Sequence, residues 1–116
     1  MLKRLVVSVL AAVLFTLSPQ AAELFSTNSI WQFRKGNSEA SAPETAWRGV
    51  AFDATAAGFA SAAAPFWYGD VLPGGTQLGD MQNNYSSIYL RRTFTIGNAA
   101  QVTSLRLRAF IEDGFV

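Results

Sequence analysis

The sequence predicts an all-β fold, an incomplete jelly-roll-like β-sandwich preceded by a signal-peptide helix. Residues 87–96 and 104–111 alternate apolar and polar side chains, which is typical of half-buried strands. Glycine, proline and asparagine turn signals separate several short strand-like segments. After the N-terminal apolar segment, no stretch has the helical period. These observations together indicate one sandwich domain with sparse helix.

The first element is a secretory signal over residues 1–22. Lys3 and Arg4 form a short basic region, and an uninterrupted run of apolar and small residues, 5–17, follows them. Pro19 and the small residues after it are typical of a cleavage region. The apolar segment is shorter than the roughly 20 residues that span a bilayer. We therefore predict secretion, with no transmembrane span after cleavage.

The mature chain begins with short strands. Residues 30–34 are β-favouring and end at a turn signal, and residues 46–52 predict a short irregular strand. Residues 54–64 are rich in alanine, but Gly58 and Pro65 limit them to a single helical turn. The apolar positions of the strand-like segments predict these buried residues: Trp31, Phe33, Trp47, Phe52, Ile88, Leu90, Phe94, Leu105 and Leu107.

The C-terminal residues predict an interrupted domain. Residues 104–111 read as a strand, Glu112-Asp113-Gly114 as a turn, and Phe115 and Val116 as the start of another apolar segment. A strand without its partner exposes unpaired N–H and C=O groups, which natural domains avoid. We therefore expect residues 23–116 to be the N-terminal part of one sandwich domain, a fragment whose further domains lie downstream.

Composition excludes several classes of function. The sequence has no histidine and no cysteine, which removes the commonest general base, the Ser-His and Cys-His nucleophile pairs and the preferred zinc ligands. The sequence has nine basic and eight acidic residues, and loss of residues 1–22 removes two of the basic ones. The remaining basic residues form scattered pairs rather than a stripe, so we expect no nucleic-acid binding. We also expect this segment not to be an enzyme.

Aromatic and short polar side chains near a long predicted loop are the candidate ligand-binding residues. A Trp or Tyr ring can stack on the C–H face of a sugar, and Trp67 and Tyr68 precede the loop, with Asn83 and Asn84 further along it. The alternative is that both rings close the end of the core. Arg92 interrupts an apolar strand face, so we expect it either to pair with an acid at the rim or to hold a ligand.

The same loop offers oxygen ligands for a metal. Asp80 and Asn83, with nearby backbone carbonyls, are donors that calcium prefers. Asparagine and aspartate are also ordinary turn residues. The sequence therefore leaves a structural calcium ion as one alternative and predicts no other cofactor.

An ordered series of aromatic and turn motifs covers nearly all of residues 28–116. The motifs are Trp31-x-Phe-Arg-Lys-Gly36, Pro43-x-x-Ala-Trp-Arg48, Phe52-Asp53, Ala64-Pro-Phe-x-Tyr-Gly69, Gly75-Thr-x-Leu-x-Asp-Met81, Asn83-Asn-Tyr85, Ile88-Tyr-Leu-Arg-Arg-Thr-Phe94 and Glu112-Asp-Gly-Phe115. The series resembles a galactose-binding-like β-sandwich module of large secreted bacterial proteins, the type found with lamin-tail or spore-coat-H-like domains. A looser likeness, through the Tyr-x-Arg-Arg-x-Phe strand, is to the sugar-binding sandwich of family 2 glycoside hydrolases.

The resemblance implies a non-catalytic module, and the family does not fix its ligand. Our leading hypothesis is a binding or spacer module of a secreted multidomain protein, with an extracellular glycan as the candidate partner. The alternative is the accessory β-sandwich of an extracellular glycoside hydrolase whose catalytic domain lies downstream. A third class is a structural surface-layer or adhesion segment.

Overall fold

The computed structural model describes residues 21–69 and 71–112. These residues are β-rich, with 20% in strands and 7% in helices, as the sequence predicts. The elements are β1 (Ile30–Lys35), a 3₁₀ helix (Ala46–Arg48), β2 (Ala60–Ala63), β3 (Phe66–Trp67), β4 (Thr76–Gln77), β5 (Ile88–Arg91) and a second 3₁₀ helix (Ala99–Gln101). The predicted signal peptide, apart from its last two residues, lies outside the described residues, as do residues 113–116, which carry the rest of the turn predicted from Glu112 and the apolar segment after it.

Two sheets organise the described chain. The larger sheet has the order β2-β1-β5, and both of its strand pairs are antiparallel. The smaller sheet pairs β3 with β4 in parallel. The Thr76 hydroxyl joins the two sheets, because it donates a hydrogen bond of 2.7 Å to the carbonyl oxygen of Ala63.

The first strand confirms the sequence prediction for residues 30–34 and extends one residue further. It ends where Gly36 approaches the backbone before β5, with a 2.8 Å hydrogen bond from Gly36 N to Ser87 O. A Cβ atom at position 36 would lie 2.1 Å from Ser87 Oγ and 2.7 Å from Ser87 O. The close approach of the two chain segments therefore requires glycine.

The alanine-rich segment forms a turn followed by a strand. Residues 54–58 make the single turn expected, and Asp53 Oδ1 caps it by accepting a 3.0 Å hydrogen bond from Ala56 N. Residues 60–63, however, form β2 and pair with β1 from Ile30↔Ala63 to Phe33↔Ala60. The prediction of a single helical turn was wrong for residues 60–63. The backbone N–H and C=O groups along the edge of β1 offer the alanine backbone more hydrogen bonds than an isolated turn does.

Residues 46–52 do not form the predicted strand. Ala46–Arg48 is a 3₁₀ helix, and turns follow it. Ser41 Oγ fixes this segment, because it accepts a 3.0 Å hydrogen bond from Trp47 N and donates one of 2.7 Å to Pro43 O. The serine hydroxyl thus supplies a local partner for the backbone, which competes with strand pairing.

The core lies on one face of the larger sheet. Its buried members are Ala40, Ala54 and Phe59, and the half-buried side chains packed around them are Trp47, Phe52, Ala57 and Tyr89. The Trp47 and Phe59 rings stack with centroids 6.5 Å apart, and Tyr89 meets Trp47 edge-on at 5.4 Å. We call this the covered face of the sheet; Gln32, Arg34, Tyr89 and Arg91 belong to it by strand register.

The opposite face, which we call the open face, carries Trp31, Phe33 and Leu90. Phe33 packs on Phe66 with ring centroids 5.1 Å apart, and Phe25 meets Trp31 edge-on at 5.4 Å. These aromatic side chains are half-buried. Predicted core residues on this face therefore line a surface that the described residues cover only in part.

Four predicted core residues are exposed. Leu90 is 37% exposed and Phe94 46%, while Leu105 and Leu107 reach 61% and 65%. Their predicted burial was wrong for the described chain. Residues 104–111 alternate as a strand does, but in the described part of the chain they form no ladder, and an alternating segment buries its apolar side only when a partner lies against it. The other five, Trp31, Phe33, Trp47, Phe52 and Ile88, are half-buried.

Candidate functional site

The candidate aromatic pair, Trp67 and Tyr68, lies at the end of β3. Trp67 pairs with Gln77 of β4, and Leu78 N donates a 2.8 Å hydrogen bond to Trp67 O. The Trp67 ring is half-buried, and its Nε1–H donates to the Gly74 carbonyl at 3.1 Å. Tyr68, one residue further, is 43% exposed. Trp67 thus holds the following loop in place while the Tyr68 ring faces solvent.

The Gly74-Gly75 turn brings the chain back to β3. Both glycines have positive φ, near +74°. A Cβ at Gly75 would lie 2.2 Å from the carbonyl oxygen of Pro65, which also accepts a 2.8 Å hydrogen bond from Thr76 N. This turn therefore needs glycine both for its conformation and for the close approach that starts β4 beside β3.

A three-residue polar network anchors the segment that follows β4. Lys35 Nζ lies 2.5 Å from Asp80 Oδ2, and the Tyr85 hydroxyl donates a 2.8 Å hydrogen bond to Asp80 Oδ1. The ammonium of Lys35 also lies 5.6 Å from the centroid of the Tyr85 ring. Because Lys35 ends β1, the network attaches residues 78–85 to the larger sheet.

The network shifts the pKa of the Asp80 carboxyl and of the Tyr85 hydroxyl. The hydrogen bond from Lys35, followed by the one from Tyr85, lowers the pKa of Asp80 below 3.8. Burial, followed by the hydrogen bond to Asp80, raises the pKa of Tyr85 to about 12. Asp80 is thus held as a carboxylate and Tyr85 as a neutral phenol near neutral pH.

Of the two predicted calcium ligands, Asp80 has protein partners. Both carboxylate oxygens of Asp80 accept hydrogen bonds, and its carbonyl accepts one of 2.7 Å from Asn84 Nδ2. Asn83 is exposed in the left-handed region, with φ of 62°. In residues 21–69 and 71–112, no group of three or more acidic side chains is arranged to hold a metal ion. Calcium at Asp80 stays a prediction, and it would have to replace the ammonium of Lys35.

The other predicted ligand residues fall in two places. Trp67 and Tyr68 lie beside the start of the segment that carries Asn83 and Asn84. In the described chain, neither asparagine side chain makes a hydrogen bond with Trp67 or Tyr68. Arg92 lies elsewhere, beyond the end of β5. Its Nη1 donates to the Ile30 carbonyl, and its guanidinium lies over the ring of Phe25 with its carbon 5.4 Å from the centroid.

Arg91, which the sequence did not single out, is a further polar centre. Its Nη1 donates to Gln32 Oε1 at 2.7 Å and its Nη2 to the Gly49 carbonyl at 2.9 Å. Its guanidinium also lies over the Phe52 ring, 5.6 Å from the centroid. The pair of adjacent arginines is the sequence feature that could have pointed to Arg91, but its hydrogen-bond partners are distant in sequence.

Two open depressions flank the larger sheet. One, of about 270 Å³, is lined by Ile30, Trp31, Gln32, Arg91, Arg92 and Thr93. The other, of about 350 Å³, is lined by Phe33, Arg34, Lys35, Asn37, Gly58 and Ala60. Both are shallow, and only the first combines an aromatic residue with two guanidinium groups.

The described residues contain no helix that is long and apolar enough to cross a membrane. No family model, curated protein or solved structure matches the chain. The galactose-binding-like resemblance therefore stays a prediction, and the functional argument rests on the geometry of the residues.

Proposed function

We propose that the chain is a non-catalytic module of a secreted multidomain protein and that it binds a neutral carbohydrate through Tyr68, supported by Trp67. The finer fold we propose is a jelly-roll-like β-sandwich. The observation that carries the binding proposal is the 43% exposure of Tyr68 at a strand end. A sugar presents a C–H face that packs on an aromatic ring, and its hydroxyls accept and donate hydrogen bonds at the rim.

The position of Tyr68 supports this role. The hydrogen bond of 3.1 Å from Trp67 Nε1 to the Gly74 carbonyl lies next to Tyr68 in the sequence. An aromatic side chain has only two χ angles, so it loses little conformational entropy when a ligand packs on it. The exposed amide of Asn83, in the segment that begins next to Trp67, adds a short polar group of the kind that binds hydroxyls.

The chemistry of the acidic residues supports a non-catalytic role. A glycosidase needs one carboxyl group with a raised pKa to act as general acid. The pKa of Asp80 is lowered instead, and Glu39 accepts a hydrogen bond of 3.3 Å from the Tyr89 hydroxyl. These two carboxylates have structural partners. The sequence has no histidine or cysteine that could act as the general acid in their place.

A glycan array tests the proposal with the 116-residue chain and three variants. We expect Tyr68→Ala to weaken binding of a neutral oligosaccharide about tenfold, equivalent to ~1.4 kcal/mol, and Trp67→Ala to weaken it as well. Phe110→Ala is the matched control, because Phe110 is an aromatic residue that is 94% exposed in another segment. Equal binding by wild type and Tyr68→Ala, or no binding by wild type, would refute the proposal and favour a spacer.

A further inference from the structure

Arg92 is a half-buried cation whose hydrogen bonds are incomplete. Its Nη1 donates to the Ile30 carbonyl, while Nε is fully enclosed and has no hydrogen-bond partner among the described residues. The described acids supply no counterion, because the ion pair within residues 21–69 and 71–112 joins Lys35 to Asp80. A guanidinium removed from water without an anionic partner is costly, so an anion bound beside it would stabilise the site.

The surroundings of Arg92 suit a small ligand. The depression of about 270 Å³ places Trp31, Gln32 and Thr93 around the two arginines. A volume of this size is near the lower end of small-molecule sites, which start at roughly 300 Å³. An aromatic wall, an amide, a hydroxyl and a guanidinium are together the groups that recognise a polyol bearing one negative charge.

Arg91 adds positive charge beside the depression, but its terminal nitrogens are already bonded to protein acceptors. Both terminal nitrogens of Arg91 already donate to protein acceptors, Gln32 Oε1 and the Gly49 carbonyl. Its charge nevertheless remains next to the depression. Nη2 of Arg92, in contrast, makes no hydrogen bond with the described residues, so Arg92 is the residue that retains donor capacity.

We propose that this depression is a second binding site, selective for a carboxylate-bearing monosaccharide unit of the uronic acid class. The carboxylate pairs with the guanidinium of Arg92 at Nη2, and the sugar ring lies against Trp31. Guanidinium is more weakly hydrated than ammonium and therefore pairs with a carboxylate at a lower desolvation cost in a half-buried site, which makes arginine rather than lysine the discriminating group. The site is separate from the Tyr68 surface and does not depend on it.

The test compares galacturonate with its uncharged methyl ester, both titrated into the 116-residue chain by NMR. We expect the free acid to bind at least about tenfold more tightly than the ester, because one charge-assisted hydrogen bond contributes about that much. The Nε–H signal of Arg92 should shift with the acid. Binding should weaken with added salt. Equal affinities for acid and ester, or no binding of either, would overturn the proposal.

Variants locate the site and separate it from the Tyr68 surface. Arg92→Gln should weaken galacturonate binding about tenfold, and Arg92→Lys should restore it only in part. Arg106→Gln is the matched control, since Arg106 is an exposed arginine outside the strands. Tyr68→Ala should leave galacturonate binding unchanged, and Arg92→Gln should leave neutral-glycan binding unchanged. Unaltered galacturonate affinity in Arg92→Gln would place the anion elsewhere and reject the assignment.

Discussion

The two faces of the larger sheet differ in what covers them. The covered face packs against Ala40, Ala54 and Phe59, from the segment that joins β1 to β2. The open face also carries aromatic residues, Trp31 and Phe33 with the nearby Phe25 and Phe66, yet these residues are only half-buried. Apolar character alone therefore does not create a core; a chain segment of suitable length and turn chemistry must also reach the face.

The difference also explains where polar groups are found. On the covered face, Arg91 reaches protein acceptors at Gln32 and Gly49, because the covering segment brings the Gly49 carbonyl to it. Arg92 follows on the other side of the strand, where it finds Ile30 and Phe25 but no described acid. Arg91 and Arg92, which are adjacent at the end of β5, thus have different hydrogen-bond partners because different chain segments cover the two faces of the sheet.

The largest expected effect concerns stability of the covered face. Phe59 is 6% exposed, and Phe59→Ala should lower the free energy of unfolding by about 3–5 kcal/mol, since it leaves a cavity among packed rings. Phe94→Ala, next to the open face and 46% exposed, should cost about 1 kcal/mol. Urea unfolding followed by tryptophan fluorescence measures both.

Phe59→Leu is the control for the larger variant, because it keeps most of the volume and should cost less than about 1.5 kcal/mol. If Phe94→Ala proved as destabilising as Phe59→Ala, the open face would be a second core, and the contrast between the faces would be lost.

A smaller effect is expected at alkaline pH, at the polar network that ends the open face. The pKa of Tyr85 is raised to about 12 in the folded chain, against an ordinary value of 10.0. The neutral phenol is favoured by folding, so its contribution to stability is complete below pH 10.0 and declines as the pH rises toward about 12. Unfolding measured across this range should show the decline.

Tyr85→Phe should remove that pH-dependent component, because phenylalanine fills the same space without a titrating hydroxyl. Tyr68→Phe serves as the matched control and should leave the alkaline decline unchanged. A Tyr85→Phe chain that lost stability between pH 10.0 and 12 as steeply as the wild type would show that another group is responsible.

The sequence predicted the parts of the fold that depend on local pattern. Residues 30–34 were predicted as a strand from β-favouring residues before a turn, and β1 is there. The strand predicted over residues 87–96 is found only as Ile88–Arg91, because its pairing with β1 ends at Gln32. Ala60–Ala63 was missed as a strand, since alanine has no strong strand preference and its partner lies elsewhere in the chain.

The core and the site needed tertiary information. Ala40, Ala54 and Phe59 lie outside the period-2 segments on which the predicted core was based. The contact of Lys35 with Asp80 joins residues 45 positions apart, and no local pattern predicts it. Trp67 and Tyr68 are candidate ligand residues by their place before a glycine-rich loop, and their role in binding stays a prediction; the structure adds the hydrogen bond from Trp67 to Gly74.

The most direct test of the functional account is a measurement of which tyrosine rings are open to solvent. Photochemically induced nuclear polarisation with a flavin dye reports accessible tyrosine side chains in the intact chain. Tyr68, at 43% exposure, should give a strong signal that a bound neutral glycan suppresses, while Tyr85, at 8%, should give none. A silent Tyr68, or a Tyr68 signal that the glycan leaves unchanged, would contradict binding at this ring.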